Sequence, residues 1–239
     1  MPADASGQLA QRTIDDGFRD RGLPCLYDAC WANGAVVFGA IPTNELSAIE
    51  YAFGATTSAV SKPKSASNGA LSYVGRVGVT GGDQRFDLLR VGLSASYGPY
   101  LQADATGVAP AALTGYQQIV LGTDVSLEWQ QLRVYPEAIR NWWQVPHLDE
   151  GTLGMWGGYA EAQWDLFDWW YLGLLYFDSI EVDGTQRPWD YHVHRFEPAL
   201  GFPLAPGAII KLVTQISLRS GPSDDDSDFL FAGQLALAL

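Results

Sequence analysis

The sequence predicts an all-β chain whose strands form an antiparallel, up-and-down transmembrane β-barrel. Three observations predict this fold class. Apolar residues recur with a period of two in segment after segment, tight and long connections alternate between those segments, and charged residues collect opposite the apolar positions. A barrel in a membrane needs all three features, because its outer face meets lipid and its inner face meets water.

Composition narrows the class further. The chain has 239 residues, of which 47% are hydrophobic and 17% charged, so it has ample apolar surface to bury. Its 27 acidic residues against 14 Lys and Arg give a net charge of −13, and such a protein repels phosphate backbones, so nucleic acid is excluded as a partner. No apolar run approaches the roughly 18–20 residues of a spanning helix, and the first 21 residues lack the apolar core of a secretory signal.

The period of two is clearest between Gln118 and Trp129. Odd positions there are almost all apolar, whereas even positions include Gly122, Asp124 and Glu128. Similar segments recur along the chain with no helix between them, which predicts an antiparallel meander. The eleven predicted strands are 35–41, 46–56, 70–80, 85–97, 116–129, 131–144, 154–166, 169–181, 190–203, 207–219 and 228–239.

The connections between these strands alternate in length. The tight ones are Pro42–Glu45, Gly81–Gln84, Gln130, Asp168 and Leu204–Gly207, and the long ones are 57–69, 98–115, 145–153, 182–189 and 220–227. A membrane barrel has short turns at one rim and longer loops at the other, whereas a soluble Greek-key sandwich has no reason to alternate. Seven tryptophans lie near predicted strand ends, where an interfacial girdle would place them: Trp129, Trp142, Trp143, Trp156, Trp164, Trp169 and Trp170.

The charged face is the candidate functional surface. The candidate pore-lining residues are Arg76, Arg90, Asp124, Glu128, Arg133, Glu137, Glu161, Arg195, Glu197, Lys211 and Arg219. Glu50 and Asp165 share that face, which gives seven acids against six bases and predicts a weakly selective, water-filled path. Arginines facing Glu128, Glu137 and Glu161 would either create a transverse field at a constriction or form ion pairs that brace the wall, and both interpretations remain open.

Other groups of reactive side chains favour structural roles. His192 and His194 follow Asp190 at metal-ligand spacing, but a junction between a loop and a strand explains them better. The acidic run Ser223–Asp228 lacks the spacing of a calcium loop and is typical of a solvated loop. We therefore assign no catalytic residue, metal site or cofactor, and the chain is not expected to be an enzyme.

Four segments resemble bacterial outer-membrane porins of the phosphate-selective porin O/P-like type: GYQQIVLGTDVSLEW, YPEAIRNWWQVP, GRVGV…VGLSASYGPYL and RPWDYHVHRFEPALGFPLAPGAIIKLV. The resemblance covers roughly residues 30–239 and implies a barrel domain over 35–239, preceded by an extension or extracellular loop segment over 1–34. It also implies a place in the outer membrane, lipid as a partner and, by analogy, a homotrimer. Phosphate selectivity does not carry over, because the chain has only three lysines, Lys62, Lys64 and Lys211.

Two further expectations concern the number of strands and the cysteines. Eleven strands is an odd number, whereas bacterial single-chain barrels have even numbers, so we expect an N-terminally truncated barrel of a type with about 16 strands. Cys25 and Cys30 fall on the long-loop side of the first strand, where periplasmic folding would join them in a local disulfide, and unpaired thiols are the alternative.

The leading functional hypothesis is a porin-like channel for passive diffusion of small hydrophilic solutes or ions. The alternative is a soluble all-β domain that binds or cleaves carbohydrate, with Glu128, Glu137 and Glu161 beside sugar-stacking tryptophans. In a soluble single-layer sheet, the alternation would mean only that polar residues face water and apolar residues face a core.

Overall fold

The computed structural model describes residues 34–56, 70–82, 86–99, 110–144, 152–167, 170–183, 192–205, 208–220 and 226–237. Within them the chain is all-β, with one short 3₁₀ helix, η1 (Pro110–Gly115). The strands are β1 (Gly34–Asn44), β2 (Ser47–Thr56), β3 (Ser72–Gly81), β4 (Leu88–Pro99), β5 (Gln117–Trp129), β6 (Leu132–Gln144), β7 (Thr152–Phe167), β8 (Trp170–Asp183), β9 (His192–Ala205), β10 (Ala208–Ser220) and β11 (Asp226–Leu237).

All eleven predicted strands are present, and their ends agree with the sequence-based ranges to within three residues. As predicted, no crossover helix separates the described strands; the helical segment η1 is a single 3₁₀ turn, bounded by Pro110 and Gly115, inside a long connection. No helix among the described residues combines the length and the hydropathy needed to cross a bilayer.

The strands form one sheet in sequence order, and each pairs antiparallel with its neighbours in the chain. The meander predicted from the period of two is therefore confirmed. Among the described pairings β1 and β11 each have one neighbour, so closure of the sheet into a barrel is not shown. The predicted extension over residues 1–34 lies outside the described residues except for Gly34, which begins β1.

Local chemistry explains the tight turns. In the β1–β2 turn, the Asn44 side-chain oxygen accepts a hydrogen bond from the backbone N–H of Leu46 at 2.8 Å, which closes an Asx turn. In the β5–β6 turn, Gln130 has a φ of 52°, in the left-handed region that type I′ and II′ hairpin turns use at their first central residue.

The alternation of link lengths is less strict than predicted. Four links on the predicted short side have two residues, but the β3–β4 link, 82–87, has six. The β10–β11 link, 221–225, has only five, because β11 begins at Asp226 rather than at Asp228. The two rims therefore differ in their typical loop length rather than in every loop.

The register separates the two faces of the sheet. Directly paired residues share a face, so the pairings can be followed from strand to strand starting at Asp124. The face that carries Asp124 is here called the polar face, and the opposite one the apolar face. All eleven candidate pore-lining residues, with Glu50 and Asp165, occupy polar-face register positions.

Exposure is inverted relative to a water-soluble sheet. Among the described residues, the buried side chains on the polar face are Thr56, Ser72, Ser96, Gln118, Val120, Asn141 and Ala199, whereas Pro99, at the end of β4, is buried on the apolar face. The apolar face carries most of the exposed large hydrophobic side chains, from Leu212 at 36% to Phe229 at 71%. Among the strand residues whose exposure the structure describes, the exposed large hydrophobics on the polar face are Val36, Phe38 and Leu230, in the two edge strands β1 and β11.

The sheet also curves. One cavity of about 260 Å³ is lined by residues of six consecutive strands, from Val36 in β1 to Ile139 in β6, and most of them lie on the polar face. Strands this far apart can share a cavity only if the polar face is concave. The register is staggered as well. One row of directly paired residues passes through Glu50, which lies three residues from the start of β2. The same row reaches Ser217, which lies nine residues from the start of β10. Such stagger is what a tilted barrel wall requires.

Candidate functional site

The centre of the polar face is a single row of directly paired residues, here called the mid-strand row. It runs through all eleven strands as Ala40, Glu50, Gly78, Gly92, Asp124, Glu137, Tyr159, Asp178, Arg195, Ser217 and Asp228. Five of its members are acids and one is a base. The sequence pattern assigned charges to a face, and the register shows that several of them form one line across it.

One member of this row, Asp124, takes part in an ion pair that crosses three strands. Both terminal nitrogens of Arg76 in β3 contact the Asp124 carboxylate in β5, with Nη2 donating to Oδ2 at 2.7 Å. The guanidinium passes over Gly92 in β4, where an added Cβ would lie only 2.6 Å from the Arg76 Cζ. Gly92 therefore provides the space that lets the bidentate pair form across a strand.

Two further arginines on the polar face pair with acids. Arg90 Nη2 lies 3.7 Å from Glu50 Oε1, and Arg90 Nε donates to Thr80 Oγ1 at 3.1 Å. Arg133 in β6 contacts Asp165 in β7. These partners differ from the predicted ones, Glu128, Glu137 and Glu161. Each of these pairs joins strands one or two apart, so the three ion pairs link nearby strands of the sheet and none of them spans distant strands.

The glutamates instead meet tyrosines. The Tyr135 hydroxyl donates to Glu128 Oε1 at 3.2 Å, and Tyr159 hydrogen-bonds Glu137. Glu161 is paired in register with Tyr135. Glu128, Glu137 and Glu161, on β5, β6 and β7, thus lie on the polar face beside tyrosine hydroxyls. Because a phenol hydroxyl carries no charge, these hydrogen bonds do not neutralise the negative charge of the carboxylates.

The remaining predicted residues lie on β9 and β10. Arg195 Nε donates to Ser217 Oγ at 3.3 Å, and Glu197 accepts from the Gln215 amide at 2.9 Å in the amide orientation that satisfies both groups. Lys211 is paired with Gly201, and Arg219 with Asp226.

The polar face is more acidic than the sequence predicted. The register adds Asp178, Asp226 and Asp228 to its positions, which gives ten acids against six bases. The expected near balance of charge was therefore wrong. Asp178 was missed because irregular pairing in β8, between Leu172 and Leu175, disturbs the alternation. Asp226 was assigned to the link 220–227, and Asp228, the first residue of the last predicted strand, was counted with the acidic run Ser223–Asp228.

Some of the expected groupings are not found on this face. His192 and His194 occupy apolar-face positions, and Asp190 lies outside the described residues. The described part of the chain has no group of three His, Cys, Asp or Glu that could hold a metal ion. Cys25 and Cys30, and residues 223–225 of the acidic run, lie outside the described residues.

The tryptophans lie away from the glutamates. Trp129, Trp142, Trp156 and Trp164 occupy apolar-face register positions, whereas Glu128, Glu137 and Glu161 occupy the polar face. Trp143 is paired with Gln118 and so takes a polar-face position. The sheet therefore separates these three glutamates from those four rings, which does not suit a glycan-cleaving site built from them.

Comparison with known proteins adds no family. The sequence matches no protein-family model, and no curated protein matches it.

Proposed function

We propose that this chain forms the wall of an outer-membrane β-barrel channel and that small hydrophilic solutes or ions diffuse passively along its polar face. The inverted exposure of the sheet carries the proposal. In water, a broad surface of exposed Leu, Ile, Val and Phe would drive association or aggregation, whereas in a bilayer the same surface meets hydrocarbon at no cost.

The charges favour the same interpretation. A sheet whose concave side carries sixteen ionisable positions cannot be packed over an apolar core, since each unpaired buried charge would cost several kcal/mol. Water must reach that side. In a closed sheet with a water-filled, charged interior and an apolar exterior, the polar face meets water, the apolar face meets lipid, and every backbone N–H and C=O group has a hydrogen-bond partner.

The tryptophans fit the thickness of a membrane. Leu132 pairs with both Trp129 and Trp164, which places these two half-exposed rings at one level near the short-turn ends of their strands. Trp142 lies ten residues further along β6. That separation is about 33 Å along a strand and about 23 Å of depth at a tilt of about 45°, close to the apolar band of about 25 Å in outer-membrane barrels.

Arg140 also suits an interface. It is the charged residue of β6 on the apolar face, and its guanidinium lies 5.2 Å from the centre of the Trp142 ring. At the level of an aromatic girdle a long arginine side chain can reach the headgroups and keep its charge out of the hydrocarbon.

Passage would be governed by size and by the acidic polar face. Ten acids against six bases give the proposed lumen a negative potential, which attracts cations and repels anions. We therefore expect a cation-preferring diffusion path rather than an unselective one. This preference is opposite in sign to phosphate selectivity.

A labelling experiment in planar bilayers tests the channel. In a Cys25→Ser/Cys30→Ser background, Ser94→Cys on the polar face and Leu93→Cys on the apolar face place one thiol on each side of β4. A charged methanethiosulfonate reagent should reduce the single-channel conductance of Ser94→Cys and leave that of Leu93→Cys unchanged.

Leu93→Cys is the matched control, because it differs by one residue and by the face it occupies. Stepwise currents that respond only to labelling at position 94 would support a lumen bounded by the polar face. A folded, inserted chain that carries no current would exclude the channel, and equal effects at both positions would exclude this assignment of the faces.

A further inference from the structure

The direction of the strands constrains how the sheet can close. In an eleven-stranded antiparallel meander, odd-numbered strands all run one way, so β1 and β11 are parallel to each other. A second copy related by an axis along the membrane normal would present its β11 to β1 in the same parallel sense. Direct contact between the two edges in an oriented membrane protein therefore requires a parallel pair.

The two edge strands differ from the interior ones in the exposure of their polar-face hydrophobic residues. Interior strands also carry apolar residues on the polar face, such as Val120 and Ile139, but these are buried or half-buried, whereas β1 leaves Val36 and Phe38 exposed there and β11 leaves Leu230 exposed. These three side chains are 55%, 78% and 53% exposed. The two edges that closure would join therefore both carry apolar side chains that no neighbouring strand of the described sheet covers.

Curvature favours closure within one chain. Side chains from β1 to β6 line one cavity of about 260 Å³, which implies a narrow radius. A barrel of about eight strands is filled by its side chains, and one of about 16 holds an open channel. Eleven strands fall between these sizes, whereas two copies joined end to end would form a wide ring in which six strands span a shallow arc.

We propose that β1 and β11 of the same chain pair in parallel, and that this seam closes an eleven-stranded barrel and brings Val36, Phe38 and Leu230 together as an apolar strip on its inner wall. The proposal rests on the proposed membrane function for its orientation argument. It also competes directly with the expectation of a longer barrel of about 16 strands, in which other strands would flank β1.

Cysteine scanning across the seam tests the pairing. In the full chain with Cys25→Ser and Cys30→Ser, Phe38→Cys or Ala40→Cys is combined with a cysteine at Asp228, Leu230, Ala232 or Gln234. The eight variants are folded in lipid vesicles and treated with dibromobimane, which becomes fluorescent when both of its arms have reacted with thiols. Gels separate cross-links within a chain from those between chains.

The sign of the register shift is the decisive result. In a parallel seam, the best partner in β11 moves to a higher residue number when the β1 cysteine moves from position 38 to 40. The β1–β2 hairpin supplies the matched control, since Phe38 pairs with Ala52 and Ala40 with Glu50, so its partner number must fall.

A rising partner number with cross-links inside one chain would support the seam. A falling number, cross-links only between chains, or no cross-link beside a working β1–β2 control would each overturn it. The same scan performed in detergent separates this outcome from the channel proposal, because the cross-links report strand pairing whether or not the protein conducts ions.

Discussion

Replacing Leu93 with arginine is the most informative perturbation of the apolar face. Leu93 lies at the middle of β4 and is 64% exposed, and Leu89 lies on the same face of the same strand, near its short-turn end, at 37% exposure. The two leucines differ by four residues, which is about 13 Å along the strand and about 9 Å of depth at a tilt of about 45°.

The expected magnitudes follow from that depth. A charge at the bilayer midplane of a β-barrel costs about 2–4 kcal/mol, and near the interface it costs about 0–1 kcal/mol. Leu93→Arg should therefore lower the free energy of unfolding by about 2–4 kcal/mol, whereas Leu89→Arg should lower it by about 1 kcal/mol or less.

A sheet that met water on this face would rank the variants the other way. An arginine at the more exposed Leu93 would then change the stability by about 0.5 kcal/mol or less, and the less exposed Leu89 would be the costlier site. Denaturant titration in lipid vesicles, followed by tryptophan fluorescence, measures both free energies. A Leu93→Arg protein as stable as the parent, beside a destabilised Leu89→Arg protein, would refute the membrane assignment.

Three further predictions concern the polar face. Gly92→Ala should lower the free energy of unfolding by about 1 kcal/mol, because the added methyl group displaces Arg76 from Asp124. Gly233→Ala is the control: its Cβ would meet only the Leu212 side chain at 3.6 Å, so its free energy of unfolding should stay within about 0.5 kcal/mol of the parent. Equal effects of the two substitutions in denaturant titrations would contradict a stabilising Arg76–Asp124 ion pair. Arg76→Gln should raise the preference of the channel for cations, and Asp124→Asn should lower it. Reversal potentials measured in a KCl gradient should therefore shift in opposite directions for the two variants. A shift of both reversal potentials in the same direction would be inconsistent with a charged lumen. Asn141→Leu should lower the free energy of unfolding by about 1–3 kcal/mol, because it removes the buried amide oxygen that accepts a hydrogen bond from Gln118 at 3.2 Å. The control Thr123→Val, on the apolar face, should leave the free energy of unfolding nearly unchanged. An unaltered melting transition for Asn141→Leu would show that the Gln118–Asn141 hydrogen bond contributes nothing to stability.

Most of the strand pattern could be predicted from the sequence because the period of two is a local property. Gln118–Trp129 shows its two faces in twelve consecutive residues, and antiparallel neighbours follow from the short turn at Gln130. Irregular pairing is harder to anticipate. In β8 the register shifts between Leu172 and Leu175, so the position of Asp178 could not be derived from alternation that begins at the start of the strand.

The pairing of charges could not be predicted, because it depends on register. The sequence places Arg76 and Asp124 on one face but gives no sign that Gly92 lies between them. A glycine opposite an aspartate in a neighbouring strand is informative only once the three strands are aligned. The row that joins Glu50, Asp124 and Glu137 is likewise a property of the whole sheet.

Spin labels on neighbouring residues give the most direct test of which solvent each face meets. In vesicles, labels at Leu93 and Thr123 should collide with molecular oxygen, which concentrates in hydrocarbon, and labels at Ser94 and Asp124 with a water-soluble nickel chelate. A lipid-facing barrel wall gives this two-residue alternation on both β4 and β5. Labels at Leu93 and Thr123 that are shielded from oxygen, or that are open to the nickel chelate, would contradict a hydrocarbon-facing apolar surface.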